Sequence, residues 1–304
     1  MADFSLGKAL GAGFTVIRRK PAAPLIWGLL YAPLMLGPIL ITMIVPQPDT
    51  SATATPQEAL GRIWVSLLPL LMLQPFLLVG SIVVQAMLQC AIFRSVLEPQ
   101  NSRRFYLALG PQELWVGLAQ FCLGFVLMVP MFGALAVVLP AGVGVYFAAG
   151  GGHQAIAPVA VYAVIAGLAV LALTLWVFVR FSMAAPMAFA DRNFRLLESW
   201  PLTRGHAGRL MLLGLLVMAM VIGAYAVLAL VVGASTLMAV FTATALAAFN
   251  GGADGRTVGA GVIFFFGVFA VLSGYLWAIT VAPWADAFRQ LRAGQIGTAA
   301  PAGA

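Results

Sequence analysis

The chain has 304 residues, of which 62% are hydrophobic and only 8% are charged, and its formal net charge is +7. Soluble domains contain about 25% charged residues, and a soluble fold of this size would have to expose much of the apolar surface to water. The composition therefore excludes a soluble globular protein and indicates an integral membrane protein. The basic residues are spread over several short loops, which argues against nucleic-acid binding despite a pI of about 10.0.

Residues 1–24 are predicted to form an amphipathic helix that lies in the membrane interface. The apolar residues on one helical face are Leu6, Leu10, Phe14 and Ile17. Basic residues 18–20 suit the carboxyl end of a helix, and Pro21 stops it. A disordered basic leader is the alternative.

Six uncharged runs follow, each long enough to cross the hydrocarbon of a bilayer. They are residues 25–45, 63–93, 114–149, 155–179, 210–249 and 258–285. We therefore predict an all-α membrane protein with six transmembrane helices in 25–285, short amphipathic interfacial helices on the cytoplasmic face, and a short cytoplasmic tail at 286–304. Pro130 and Pro140 interrupt the third run. The fifth run is expected to be one tilted or bent helix and not two crossings.

Two polar stretches separate the runs. Residues 46–57 are rich in Pro, Ser and Thr and are predicted to be a loop or linker, and residues 250–257 are predicted to be a Gly-rich turn. Residues 52–54 match a signal-peptide cleavage pattern, but the apolar run before them is longer than that of a signal peptide. We therefore expect the amino-terminal segment to persist in the mature protein.

The basic residues lie mostly on one side of the predicted membrane domain. Those on the side of the termini are Lys8, Arg18, Arg19, Lys20, Arg94, Arg103, Arg104, Arg180, Arg192, Arg195, Arg204, Arg209, Arg289 and Arg292. The other side has only Arg62 and Arg256. The positive-inside rule then predicts that both termini are cytoplasmic.

The segment from Phe194 to Leu210 is the longest charged interval between two spans. Phe194, Leu197 and Trp200 fall on one helical face, and Arg195 and Glu198 are spaced to pair weakly. Pro201 is expected to end that helix. The segment contributes to a basic surface that suits anionic lipid headgroups, although its charges also serve simply to set topology.

The predicted partners are the lipid bilayer, in particular anionic headgroups on the cytoplasmic side, and a further membrane protein. The candidate anionic-lipid contacts are Arg18, Arg19, Lys20, Arg103, Arg104, Arg192, Arg195, Arg204 and Arg209.

A polar stripe runs along the second span. Its members are Gln74, Ser81, Gln85 and Gln89, and Gln120 in the third span is a candidate to face it. The spacing puts the first four on one face of a helix. The stripe could line a groove for a headgroup or small solute, but hydrogen bonding that holds helices together is the favoured interpretation.

Residue types for catalysis are scarce. None of the charged residues falls inside a predicted span, which argues against ion-coupled transport. His153 and His206 lie on opposite sides, Cys90 and Cys122 lack metal-ligand spacing, and motifs for serine hydrolases, zinc peptidases and nucleotide binding are absent from the sequence. We therefore expect no catalytic residue, metal or cofactor.

An internal repeat is weakly visible. Phe4, Phe105 and Phe194 each open a charged, amphipathic lead into a pair of spans, which suggests three units of an interfacial helix and a helical hairpin. Positive-inside loops alone would produce the same pattern.

Two motifs carry a family resemblance. The sequence has RFSMAAP at residues 180–186 and ESWPLTRG at residues 198–205, after an opening FSLG at 4–7 and RRKP at 18–21. These resemble the bacterial membrane domain of membrane-anchored glycerophosphoryl diester phosphodiesterases, which also occurs in stand-alone proteins. The resemblance implies a multi-pass bacterial inner-membrane domain with no assigned catalytic role of its own.

The short stretch after the sixth span leads us to expect that the hydrolytic domain of the two-domain members is absent, and with it diesterase activity. The first functional hypothesis is thus a non-enzymatic membrane module that binds or organises lipid or protein partners. The second is a transporter or flippase for a lipid-like or small apolar substrate.

Overall fold

The structure, a computed structural model, describes residues 5–44, 56–100, 103–249 and 255–299. The fold is 89% helix, and no strand occurs in these ranges. The prediction of an all-α fold is therefore confirmed. The expected linker and Gly-rich turn fall mostly outside the described residues.

Helices account for nearly all of the described chain. The α-helices found there are α1 (Leu6–Arg19), α2 (Ala22–Ile44), α3 (Pro56–Leu97), α4 (Pro111–Ala148), α5 (Ile156–Phe181), α6 (Ala184–Asp191), α7 (Ser199–Thr203), α8 (Ala207–Phe249) and α9 (Gly255–Ala299), with 3₁₀ turns at Arg103–Tyr106 and Gly152–Ala155.

Five helical segments of the described chain are long and apolar enough to cross a membrane. They are Leu67–Leu97, Pro111–Ala148, Gly152–Asp191, Ala207–Val231 and Ile263–Gly294. Such helices are typical of a multi-pass membrane protein, because a helix satisfies its own backbone hydrogen bonds in lipid. A shorter apolar stretch, Ala22–Pro38, lies in α2. The first predicted span, residues 25–45, and with it the total of six, therefore stays a prediction.

The long helices continue through their prolines. Helix α4 contains Pro130 and Pro140 without a break, and α3 likewise contains Pro69 and Pro75. Prolines are tolerated in membrane helices because local adjustments and neighbouring groups satisfy the freed backbone. The fifth predicted run forms a single helix, α8, as expected.

The chain divides into two compact units. Unit 1 comprises Met1–Leu6, Gly110–Leu216 and Ala287–Ala304, and unit 2 comprises Gly7–Leu109 and Val217–Asp286.

Unit 1 is built on the antiparallel hairpin of α4 and α5. The hydroxyl of Tyr162 donates to the carbonyl of Val138 at 3.0 Å, and Gln112 Nε2 donates to the carbonyl of Phe189 at 3.3 Å. At the end of α5, Phe181, Ala184 and Leu196 form a small buried cluster. Its partly buried neighbours are Cys122, Leu123, Val126, Val177 and Phe194. This cluster positions the segment that follows α5.

Residues near both chain ends also belong to unit 1. The backbone N–H of Ser5 donates to Gln290 Oε1 at 2.8 Å, and Gln290 Nε2 donates to the carbonyl of Ser5 at 3.4 Å. Two residues further on, Arg292 pairs with Asp191 at the end of α6, with 2.9 Å between Nη2 and Oδ1.

Unit 2 depends on close helix contacts at glycines. A methyl group at Gly28 of α2 would collide with the backbone of Val271 in α9, and one at Gly274 would collide with the carbonyl of Pro24. A methyl group at Gly13 of α1 would also come too close to the backbone of Ala278 and Ile279, at 2.9 and 2.8 Å. Small residues let membrane helices approach to backbone contact, where dispersion forces are strongest.

Helix α1 forms as predicted, but a different face packs against the protein. The buried residues are Ala9, Ala12, Gly13 and Val16, whereas Phe14 of the predicted apolar face is 48% exposed. The small face packs inward because only residues without bulk allow the approach at Gly13. The larger apolar side chains thus remain available to lipid, and the interfacial placement of α1 stays a prediction.

The three predicted leads differ in structure. The first is α1, with Phe4 outside the described residues, and the second is the 3₁₀ turn Arg103–Tyr106. In the third, Phe194 and Leu197 are not helical, and α7 begins only at Ser199. The expectation that Pro201 ends a helix is wrong: it lies in the first turn of α7, where a missing N–H carries no penalty. The repeat stays a prediction.

Candidate functional site

Arg180 lies next to the last residue of α5. At 1.5 Å per residue, the helix from Ile156 to Arg180 is about 36 Å long. The hydrocarbon of a bilayer is about 30 Å thick. Ile156 and Arg180 are therefore separated along α5 by about the thickness of the hydrocarbon.

Two tryptophan rings contact the Arg180 guanidinium. Its Cζ lies 5.6 Å from the ring centre of Trp176 and 5.1 Å from that of Trp200. The two rings meet edge to face with centres 5.2 Å apart, and Phe181 lies 5.8 Å from Trp200. Trp176 precedes Arg180 by four residues, so both occupy one face of α5. Such cation–π contacts contribute about 2 kcal/mol when the cation is desolvated.

Hydroxyl groups hold α7, and with it Trp200, against the end of α5. Ser199 Oγ donates to the carbonyl of Arg180 at 2.9 Å. Thr203 Oγ1 donates to the carbonyl of Trp200 at 3.0 Å and lies 3.5 Å from that of Arg180. Both side chains are fully buried. The end of a helix leaves carbonyls without partners, and these hydroxyls satisfy one of them.

Two nitrogens of the guanidinium lack an acceptor among the described residues. Arg180 Nε and Nη1 are buried, and neither has a hydrogen-bond partner in the described part of the chain. A buried donor left unsatisfied costs about 1–3 kcal/mol, and more when it is charged. The tryptophan contacts offset part of this cost. We call Trp176, Arg180, Ser199, Trp200 and Thr203 the arginine–tryptophan site; its chemistry is that of an anion receptor with unused donors.

Exposed arginines flank α7 in the sequence. Arg192 has left-handed backbone, with φ 53°, and ends α6, and Arg204 follows α7. Arg192, Arg204 and Arg209 are all exposed. Arg195 lies 3.0 Å from Glu198 and 3.5 Å from Asp191. The predicted Arg195–Glu198 pair is therefore present.

The remaining candidate lipid contacts belong to unit 2. Arg18 and Arg19 are exposed at the end of α1. The Lys20 ammonium lies 5.4 Å from the ring centre of Tyr106. The side chains of Arg103 and Arg104 lie outside what the structure describes.

The last turn of α3 contains an arginine whose burial was not predicted from the sequence. Arg94 is 6% exposed, and its Nη1 donates to the carbonyl of Tyr106 at 2.9 Å. The indole N–H of the fully buried Trp27 donates to the carbonyl of Phe105 at 3.1 Å. Phe105 and Tyr106 have φ of 56° and 67°, a left-handed conformation that is unfavourable for bulky residues. Arg94 and Trp27 hold this conformation in place.

The polar stripe lies on α3. Gln74 is exposed, and Gln85 and Gln89 are partly buried. The hydroxyl of Ser81 donates at 2.7 Å to the carbonyl of Leu78 in its own helix. Gln120 belongs to unit 1, where its Nε2 is buried without a hydrogen-bond partner in the described residues. Both interpretations of the stripe, hydrogen bonding between helices and a groove for a headgroup or small solute, stay predictions.

A cavity of about 410 Å³ lies between α4 and α5 near their connecting turn. Its lining is apolar apart from two tyrosines, and includes Val138, Gly142, Tyr146, Val159 and Tyr162. The Tyr162 hydroxyl already donates to a backbone carbonyl. The cavity thus accepts apolar groups and contributes no charge.

The arginine–tryptophan site was not among the predicted sites. Sequence analysis used Arg180 only as a topology signal and as part of a family motif. A Trp and an Arg four residues apart at the end of an apolar run were the available signal. The approach of Trp200, from a turn twenty residues later, was not visible in the sequence.

Fold and site together define a multi-pass α-helical membrane protein with a charged, aromatic layer at one end of a helical hairpin. No group of three or more His, Cys, Asp or Glu that could hold a metal is present among the described residues. Comparisons with family models, curated proteins and solved structures found no match to this chain.

Proposed function

We propose that this protein is a non-enzymatic module of a bacterial inner membrane that binds anionic lipid at its cytoplasmic face and organises lipid or protein partners there. The motifs at residues 180–186 and 198–205 support its grouping with the membrane domain of glycerophosphoryl diester phosphodiesterases. The proposal includes no phosphodiesterase activity and no other catalysis. The excess of basic residues on one side supports cytoplasmic termini.

The observation that carries the proposal is the exposed basic surface between α6 and α8. Arg192, Arg204 and Arg209 are exposed within one short segment, which also contains Trp200, a ring that contacts Trp176. Each cation near an anionic membrane surface contributes about 1 kcal/mol of attraction. Tryptophan is enriched at the same interface. The segment therefore has the composition of an anionic-lipid contact.

The test is the lipid selectivity of the reconstituted protein. Spin-labelled phosphatidylglycerol and phosphatidylcholine report which lipid is enriched around the protein in mixed vesicles. We expect the wild type to prefer phosphatidylglycerol, and the variant R192Q/R204Q/R209Q to lose most of that preference. The variant R192K/R204K/R209K keeps the charge and should keep the preference. Equal enrichment of both lipids around the wild type would reject the proposal.

The alternative function is transport or flipping of a lipid-like or small apolar substrate. The polar stripe on α3 favours it, because the hydrogen bond of Ser81 in the described residues is made within its own helix. Replacing Gln85 and Gln89 with Leu distinguishes the two roles. Hydrogen bonds between membrane helices average about 0.6 kcal/mol, so a structural stripe predicts only a modest loss of stability. Loss of lipid or solute movement in vesicles with folding intact would favour transport.

A further inference from the structure

The arginine–tryptophan site combines features that are not needed for topology. A cytoplasmic cation serves the positive-inside rule equally well when it is exposed. Arg180 instead has two buried donors without an acceptor among the described residues, and two aromatic rings contact its guanidinium. It thus retains hydrogen-bonding capacity that no described residue uses.

We propose that this site binds one phosphate group through the Arg180 guanidinium. Arginine is suited to phosphate because it remains charged and presents several N–H donors in a fixed plane. Arg180 lies about one hydrocarbon thickness along α5 from Ile156, a separation that suits a helix whose ends reach the two headgroup layers. The proposal deepens the lipid-binding role and rests on it: the exposed arginines attract anionic lipid in general, and Arg180 holds the phosphate of a single molecule.

Binding requires a side chain to move, since Nε and Nη1 are covered in the structure. Trp200 is the mobile candidate because it is 37% exposed and lies on α7, a helix of five residues. The chain turns at Gly205, whose φ of 87° is left-handed and whose surroundings are open. Ser199 and Thr203 anchor α7 through their hydroxyls, so the Trp200 ring can rotate while its backbone stays in place.

The experiment measures thermal stability of the purified protein in a non-ionic detergent that contains no phosphate. Short-chain phosphatidylglycerol, short-chain phosphatidylcholine and inorganic phosphate are each titrated at about 0.5 M sodium chloride, which screens exposed charges. We expect the unfolding temperature of the wild type to rise and then level off as a ligand that carries the recognised phosphate group is added. Stabilisation by a phospholipid alone assigns the phosphate to a headgroup. Equal stabilisation by inorganic phosphate supports the same site chemistry and assigns a soluble source.

Arg180→Met tests the guanidinium, and Arg204→Met is the matched control because it removes one exposed charge from the same segment. Loss of hydrogen bonds between charged partners should weaken binding at least about tenfold in Arg180→Met. Arg204→Met should change the affinity less than about twofold at this salt concentration. Without ligand, Arg180→Met should melt at or above the wild-type temperature, because it removes buried donors that lack acceptors.

A second measurement stands if Arg180→Met does not fold. Ligand binding should change the tryptophan fluorescence of the wild type, and most of that change should be missing in Trp200→Phe, which keeps a ring over Arg180. Unchanged affinity in Arg180→Met, an equal loss in Arg204→Met, or a fluorescence change that Trp200→Phe retains would overturn the phosphate site. If phosphatidylglycerol is still enriched around the wild type, only this site fails; if that enrichment is absent, the broader lipid-binding role fails.

Discussion

The turns after α3 and α5 use the same residue types in different ways. Each has an arginine near the end of a long apolar helix and a tryptophan from another element. Arg94 donates to the carbonyl of Tyr106 at 2.9 Å, and the indole N–H of Trp27 donates to the carbonyl of Phe105. Arg180 contacts the rings of Trp176 and Trp200, and its buried donors have no acceptor in the described residues.

The difference separates a structural arginine from one with unused binding capacity. The left-handed backbone of Phe105 and Tyr106 costs about 1–2 kcal/mol per residue, and fixed donors stabilise it. At the end of α5 the backbone is held by hydroxyls instead, so the guanidinium is not needed for that purpose. An arginine with a backbone acceptor supports the fold, whereas one held only by ring faces can still bind an anion.

The largest expected effect tests this contrast directly. Arg94→Met should lower the free energy of unfolding by about 3 kcal/mol, because it leaves a buried carbonyl unpaired and releases a strained turn. Arg180→Met should change it by less than about 1 kcal/mol in the absence of anionic lipid. Equilibrium unfolding in mixed micelles measures both, and Arg94→Lys serves as the control that keeps a cation. Equal losses in the two Met variants would contradict the comparison.

Sequence patterns were sufficient for the fold class but not for helix contacts. Runs without charge predicted long apolar helices because burial in lipid requires apolar surface over a fixed length. Periodicity placed α1 correctly, yet the packed face is the one with Ala12 and Gly13. Periodicity marks the larger apolar side chains, whereas close packing selects small ones. Hydropathy does not distinguish a lipid-facing Phe14 from a buried residue.

The site was less predictable because it depends on contacts between distant residues. The Arg195–Glu198 pair was predicted since it is local. Trp200 reaches Arg180 only because α7 begins at Ser199, whose hydroxyl binds the end of α5. The expected helix through Phe194 would have placed that ring differently. A missing acceptor, which defines the site, has no sequence signature at all.

Trp27 and Trp200 should also differ in how much they contribute to the free energy of unfolding. Trp27→Phe removes the indole donor and leaves the carbonyl of Phe105 without it, so we expect a loss of about 1.5 kcal/mol. Trp200→Phe keeps a ring face over Arg180 and should lose less than about 1 kcal/mol. Thermal unfolding of both variants in the same detergent measures the difference. A larger loss for Trp200→Phe would mean that this ring supports the fold more than it covers a site.

Hydroxyl anchoring at the end of α5 gives a smaller effect. Ser199→Ala should destabilise by about 1 kcal/mol, because Ser199 Oγ joins α7 to the carbonyl of Arg180. Ser182→Ala is the matched control, since Ser182 Oγ donates only to Val179 in its own chain turn and such local bonds add little. Unfolding temperatures of the two variants should therefore differ. If they coincide, α7 is held by its ring contacts alone.

The smallest effect concerns an arginine whose partners are exposed. Arg195 and Glu198 pair at 3.0 Å, with 40% and 55% of their side chains exposed. Glu198→Gln should lower stability by only about 0.4 kcal/mol, and high salt should remove the difference. Asp191→Asn should lose more, because Asp191 is 18% exposed and also meets Arg292 at 2.9 Å. Chemical denaturation at low and high salt measures both variants. A salt-independent loss in Glu198→Gln would show that Arg195, like Arg94, supports the fold. An arginine paired with an exposed carboxylate would then be as important for stability as one paired with a buried carbonyl.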